Sequence, residues 1–248
     1  MSLYNRVKSL QKTKLKDRIK NRLSEFELYR KKSGEDWFSE LCFCILTANS
    51  KAKTGLAIQK ELGSHGFISL TQAKITDCIK RNKHRFHNNK AKFIVEARKH
   101  TDIKDKIQNI IGNRTSNASD KNNENYNNDT SNKNDKSNKN DENNKNVNIV
   151  KEEFEAREWL VKNIKGLGYK EASHFLRNVG YKNLAILDRH ILNLLIEDNL
   201  ISEKPKALNK NKYLEIEKTL LQLANKLNMS QAELDMYLWY MKAGDVLK

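Results

Sequence analysis

The chain has 248 residues, with 47 Lys+Arg against 31 Asp+Glu and a formal net charge of +16. This positive charge favours a polyanionic partner, which includes nucleic acid, an acidic protein or an anionic membrane surface. The sequence has no apolar run of about 18 residues and no apolar segment near its N-terminus, so it predicts neither a membrane span nor a secretory signal.

Apolar side chains recur at helical spacing along most of the chain, which contains a single Pro. We therefore expect an all-α fold. Ser33 and Asp36 mark the start of the second helix, Thr71 that of the fourth, and Ser230 with Glu233 forms a capping box at the last. The predicted helices cover about residues 4–30, 35–48, 51–62, 71–80, 89–100, 151–165, 170–179, 188–197, 210–227 and 230–243.

The three cysteines are too few for a disulfide framework. Cys42 and Cys44 lie in the apolar run 41–46, as expected for buried, reduced thiols. With no nearby His or further Cys, this Cys-x-Cys pair is a poor zinc site. The cysteines therefore favour a reducing cytoplasm and no metal site.

Residues 113–148 form a low-complexity segment with 15 Asn in 36 positions and almost no apolar side chains. Such a segment cannot bury enough apolar surface to offset the entropy of ordering, so we predict a disordered insertion. Its six basic and six acidic residues cancel, so the net charge of +16 belongs to the rest of the chain.

Residues 154–180 predict two helices joined by a tight hairpin. Gly166 and Gly168 bracket Leu167, and two glycines permit a sharp reversal with the leucine packed between the helices. A hairpin that opens a helix leaves backbone N–H groups that can bind a phosphate. The alternative is a helical hairpin with a structural role only.

Lys170 begins the second helix of this hairpin, and Asp188 follows 18 residues later. The helix of about ten residues is roughly 15 Å long, and the seven residues 181–187, if extended, span roughly 23 Å. The chain can therefore return Asp188 to the side of Lys170, which would pair an amine nucleophile with a carboxylate. Taken singly, Lys170 would be an exposed lysine and Asp188 a helix N-cap.

The segments 166–170 and 187–191 resemble the helix–hairpin–helix DNA glycosylase superfamily, whose bifunctional members carry a lysine and an aspartate at this spacing. Four further segments (46–50, 84–86, 169–181 and 238–240) resemble the archaeal type of 8-oxoguanine DNA glycosylase/AP lyase. The likeness covers the chain except 113–148, a segment not expected in that family.

The size of the chain outside 113–148 suits two small helical subdomains with a cleft between them, formed by residues 1–36 plus 188–248 and by residues 37–112 plus 149–187. The resemblance implies a monomer that binds double-stranded DNA containing a damaged base, in the cytoplasm with the nucleoid. No cysteine follows Cys78, so the iron–sulfur cluster of other superfamily members is not expected. No other cofactor is expected, although the hairpin leaves room for a monovalent cation.

The resemblance also implies a mechanism. Lys170, as a neutral amine, attacks the sugar C1′ and displaces the base, and the resulting Schiff base permits strand cleavage by β-elimination. Asp188 stabilises the cationic sugar. The extruded base enters the cleft.

Five other residues have candidate roles. The resemblance implies that Asn49 fills the gap left by the extruded base. Arg85 and Phe86 lie in the basic loop 80–87, where they could wedge into the stack or touch the opposite base. The remaining two roles come from the resemblance. Trp239 stacks on the lesion, and the C-terminal carboxylate of Lys248 reads the purine edge. The plainer alternatives are a helix C-cap for Asn49, and packing onto the core for Phe86 and Trp239.

Two other functions remain open. A related lyase-type glycosylase could act on oxidised pyrimidines, although the missing cluster motif counts against it. A non-catalytic protein could use the hairpin only to clamp DNA. Formation of a Schiff base with DNA distinguishes the two enzymes from the non-catalytic clamp, which forms none.

Overall fold

The computed structural model describes residues 1–117 and 138–246, with side chains over 1–112 and 150–246. Within these ranges the chain forms helices and no strand, which confirms the all-α prediction. None of the described helices is long and apolar enough to cross a membrane. The helices are α1 Leu3–Leu10, α2 Leu15–Tyr29, α3 Gly34–Thr47, α4 Ala52–Ser69, α5 Gln72–Arg81, α6 His87–Ala97, α7 Ile103–Asn117, α8 Asn138–Asn163, α9 Tyr169–Asn178, α10 Arg189–Glu197, α11 Lys210–Lys226 and α12 Gln231–Ala243.

The predicted first helix is divided into α1 and α2. The hydroxyl of Thr13 donates to Leu10 O at 2.7 Å and accepts from Leu15 N at 3.2 Å. A continuous helix would instead pair Leu10 O with Lys14 N and Leu15 N with Gln11 O, so the side chain replaces two helical bonds and the chain turns there. This turn depends on one local hydroxyl group. The hydrophobic pattern does not predict it, because the apolar periodicity continues through the turn.

The predicted set lacks α7, although Ile103 and Ile107 lie one turn apart and both are buried. The prediction for 51–62 ended at a real break, since Gly63 has φ 64° and ψ 175°, but helical structure resumes and α4 reaches Ser69.

The Asn-rich segment predicted to be disordered lies outside the described residues over 118–137. On either side of that range, α7 runs to Asn117 and α8 begins at Asn138. The predicted limits, 113 and 148, are therefore not the ends of the flanking helices.

Buried apolar side chains among the described residues form two clusters. The first draws its buried members from residues 37–107 and 156–184, which include α3 and both helices of the hairpin. The second draws on residues 3–26 and 185–246, which include α10 and α12. The subdomain limits derived from the sequence stay a prediction.

A buried ion pair crosses between the clusters. Arg157 on α8 donates to both carboxylate oxygens of Glu217 on α11, at 2.7 and 2.8 Å. Glu217 also accepts from Ala185 N at 2.8 Å. Since Ala185 lies in the non-helical segment that leads to Asp188, this pair fixes the path by which the carboxylate returns to the hairpin.

Candidate active site

The hairpin turn follows the end of α8 and depends on one glycine for its backbone conformation. Gly166 has φ 91°, and a Cβ built there would lie 2.5 Å from Phe93 Cδ2. Gly168 has φ −97° and ψ −173°, an extended conformation open to any residue. The sequence analysis gave both glycines the same role in permitting the turn, whereas the structure requires glycine only at Gly166.

The loop between the helices packs inward and meets the start of α9. Leu167 is buried in the first cluster, as predicted. Gly168 N donates to Glu171 Oε2 at 3.2 Å. One of the N–H groups at this helix start thus already has a carboxylate acceptor, which the sequence did not predict.

Lys170 and Asp188 line the same cleft, which has a volume of about 640 Å³. The side chain of Lys170 is 24% exposed, and its Nζ lies 3.5 Å from Glu171 Oε1. Asp188 Oδ1 accepts from His190 N at 2.8 Å and from Ile191 N at 2.9 Å. Asp188 is therefore a helix N-cap, and as such it lines the same cleft as the lysine.

Two of the three wedge candidates line the same cleft, and the third, Phe86, follows Arg85. Asn49 lies just past the end of α3 with φ 59°, a left-handed conformation that Asn tolerates well. Asn49 and Arg85 both line the cleft. Phe86 is 37% exposed, and its ring lies 4.6 Å from the guanidinium of Arg85. The position of Asn49 at the C-terminal end of α3 agrees with its alternative role as a helix C-cap. The exposure of Phe86 argues against packing into the core.

Trp239 projects from α12 into the cleft and is half-buried. Its ring meets that of His190 edge to face, with centroids 5.9 Å apart. It is thus accessible to a flat ligand and not enclosed in the core. Lys248, the predicted reader of the purine edge, lies outside the described residues.

Asp235, which the sequence reading did not select, also lines the cleft. Its carboxylate pairs with Arg177, and both side chains are buried. Burial raises the pKa of Asp235 to about 6, against the effect of Arg177, and the charge of Asp188 raises it further. Asp235 stands four residues before Trp239 on α12, so helical spacing alone would have placed the two on one face.

The cleft lining carries six Lys or Arg and four Asp or Glu. Lys51, Lys53 and Arg189 are cations that the sequence reading did not single out. No group of three or more His, Cys, Asp or Glu in the described part of the chain is placed to hold a metal ion. The expected lack of a cofactor stays a prediction.

Comparisons with known proteins agree with this geometry. The sequence profile of the family described as "8-oxoguanine DNA glycosylase" matches residues 19–124 and 123–229. The 8-oxoguanine DNA glycosylase/AP lyase of Methanocaldococcus jannaschii is 42% identical over the full length of both chains. That of Korarchaeum cryptofilum is 39% identical, covering 99% of this chain and 98% of its own.

Two solved structures are similar in fold. The M. jannaschii 8-oxoguanine glycosylase/lyase, in complex with 15mer DNA containing 8-oxoguanine, has a TM-score of 0.79 and 42% identity, with 99% of each chain covered. The 8-oxoguanine DNA glycosylase of Thermotoga maritima has a TM-score of 0.77 and 34% identity, with 99% of this chain and 98% of that chain covered.

The helical fold, with a glycine hairpin leading to a lysine in a cleft, defines the class as a helix–hairpin–helix protein. Within that class, the profile match and the full-length relatives show that the chain belongs to the 8-oxoguanine DNA glycosylase family.

Proposed function

We propose that this chain excises 8-oxoguanine from double-stranded DNA and then cleaves the strand, with Lys170 as the nucleophile and Asp188 as its charged partner. The observation that carries the proposal is the shared cleft of these two side chains in a member of this family. The M. jannaschii relative bound to DNA with 8-oxoguanine supports the choice of substrate.

The chemistry begins with an uncharged Lys170 amine. Its nitrogen forms a bond to C1′ as the bond from C1′ to the base breaks, and the base leaves with the electron pair. Asp188 stabilises the positive charge that develops on the sugar. Loss of a proton from nitrogen and opening of the sugar ring give a Schiff base. Loss of a C2′ proton then expels the 3′ phosphate by β-elimination.

The cleft volume of about 640 Å³ lies in the range typical of ligand sites. The cations that line the cleft and the hairpin would hold the phosphates on either side of the lesion. The extruded base would stack on Trp239, while Asn49, Arg85 and Phe86 enter the duplex at the vacated position. We assign Lys248 to the recognition of the purine edge.

We also propose that the enzyme acts as a monomer. We propose further that it works without a cofactor, since lysine chemistry of this kind needs none. A monovalent cation at the hairpin would serve DNA binding only. We propose that the enzyme works in the cytoplasm with the nucleoid, because its substrate is DNA.

Borohydride trapping tests the nucleophile directly, because reduction makes the Schiff base a permanent protein–DNA link. Lys170→Gln should lower trapping and base release by about 1,000-fold or more while DNA binding remains. Lys182→Gln is the matched control, since it removes a lysine whose side chain is 44% exposed and does not line the cleft. Base release by Lys170→Gln at the wild-type rate would refute the assignment.

The same experiment separates the alternatives when it uses duplexes with 8-oxoguanine, an oxidised pyrimidine or a preformed abasic site. Trapping that is strongest on 8-oxoguanine supports the proposal, and trapping that is strongest on the pyrimidine favours the related glycosylase. Binding without trapping on any duplex would identify a non-catalytic clamp.

A further inference from the structure

The imidazole of His84 lies between the end of α3 and the loop that carries Arg85 and Phe86. It is 3% exposed. Its Nε2 lies 2.9 Å from Leu46 O, and Phe86 N donates to its Nδ1 at 3.2 Å. Because a carbonyl only accepts, Nε2 must carry the hydrogen, and Nδ1 must be unprotonated to accept from Phe86. The two partners therefore require one neutral tautomer.

Burial lowers the pKa of His84. The charges of Lys90, His87 and Arg85 act in the same direction, whereas the bond to the Leu46 carbonyl opposes them. A neutral ring at pH 7 is consistent with the tautomer that the two hydrogen bonds require.

A second contact fastens the same two elements together. Lys90, on the first turn of α6, donates from Nζ to Ile45 O at 2.6 Å. The last carbonyls of α3 are thus bound by two side chains from the segment 84–90. The edge of the His84 ring also meets the ring of Phe86, with centroids 6.4 Å apart.

The elements that His84 joins carry the candidates for entry into the duplex. Leu46 is three residues before Asn49, and the His84 ring holds the backbone of Phe86 itself. Asn49 and Arg85 reach the cleft from different parts of the sequence. The His84 ring, together with the bond from Lys90 to Ile45 O, therefore sets the spacing between the two ends of the wedge.

We propose that His84 is a positioning residue that couples Asn49 to Phe86, so that both enter the duplex as one unit when the damaged base leaves the stack. The inference rests on the proposed function. Unstacking a base is costly, and a wedge held in place before binding loses less entropy than two free loops.

Two substitutions each remove one of the two hydrogen bonds. The Asn oxygen in His84→Asn lies near the position of Nδ1, so it keeps the bond to Phe86 and loses that to Leu46. The Gln amide in His84→Gln reaches the position of Nε2, so it keeps Leu46 and loses Phe86. His100→Gln is the control, since it alters a half-buried histidine that packs against Trp159.

The readout is the fluorescence of 2-aminopurine placed beside 8-oxoguanine, followed in the Lys170→Gln background where extrusion occurs without chemistry. We expect each His84 variant to slow the fluorescence rise by about 10-fold, the effect of one lost buried hydrogen bond. With Lys170 intact, base release should slow equally. Strand cleavage at a preformed abasic site should change by less than about 2-fold, because no base has to leave the stack.

Equal losses on the 8-oxoguanine and abasic duplexes would show that His84 only supports the fold and would overturn the proposal. An unchanged fluorescence rise in both variants would also overturn it, as would the absence of any rise with His84 intact. Failure of the wild type to form a trapped complex would instead refute the proposed chemistry. The two failures can be told apart, because the fluorescence measurement does not depend on Schiff-base formation.

Discussion

Lys90 shows how a single residue makes stability depend on pH. Its side chain is buried beside the end of α3, and burial lowers its pKa from 10.5 to about 8. The charge of Lys170 lowers it too, whereas that of Glu171 opposes the shift. The folded chain therefore binds fewer protons than the unfolded chain between these two values, so stability rises with pH across that window.

Comparison of the wild type with Lys90→Met tests this linkage. Between pH 7 and 10 the free energy of unfolding of the wild type should rise by about 2 kcal/mol relative to the variant. The lost bond to Ile45 shifts the variant equally at each pH, so only the slope matters. Urea unfolding at several pH values measures it, and parallel curves would contradict the prediction.

At the scale of the element, the hairpin assigns different tasks to its two glycines. Gly166→Ala should lower stability by about 2 kcal/mol or more, because alanine is strained at φ 91° and its methyl group meets Phe93. Gly168→Ala should stay within about 1 kcal/mol of wild type, since its backbone is extended. Its methyl group should nevertheless weaken DNA binding by blocking a phosphate.

Urea unfolding and DNA titration of both variants separate these two tasks. The two glycines would have the same role if both variants lost the same stability. Loss of stability in Gly168→Ala alone would reverse the assignment.

At the scale of the whole molecule, the buried pair of Arg157 and Glu217 joins the two apolar clusters. Arg157→Met should cost about 3–5 kcal/mol, because it leaves the Glu217 carboxylate buried without its cation. Adding Glu217→Gln should recover much of this loss, since the amide oxygen still accepts from Ala185 N and the charge is gone. Thermal unfolding of the single and double variants measures the coupling, and a double variant no more stable than Arg157→Met would contradict it.

The local sequence determined much of this protein. The N-cap at Asp188 and the lysine at the start of α9 follow from residues only a few positions apart, because caps, turns and helix starts are set by short-range hydrogen bonds. The same short range explains the error at Thr13, where one hydroxyl overrides an apolar pattern that continues on both sides.

Only the tertiary structure decided which distant side chains share the cleft. Asn49, Arg85 and Trp239 lie on separate elements, and packing brings them to Lys170 and Asp188. Packing between distant elements also determines the position of Asp235 and the two hydrogen bonds of His84. No spacing along the chain specifies such contacts, because they depend on how helices pack and which polar groups become buried between them.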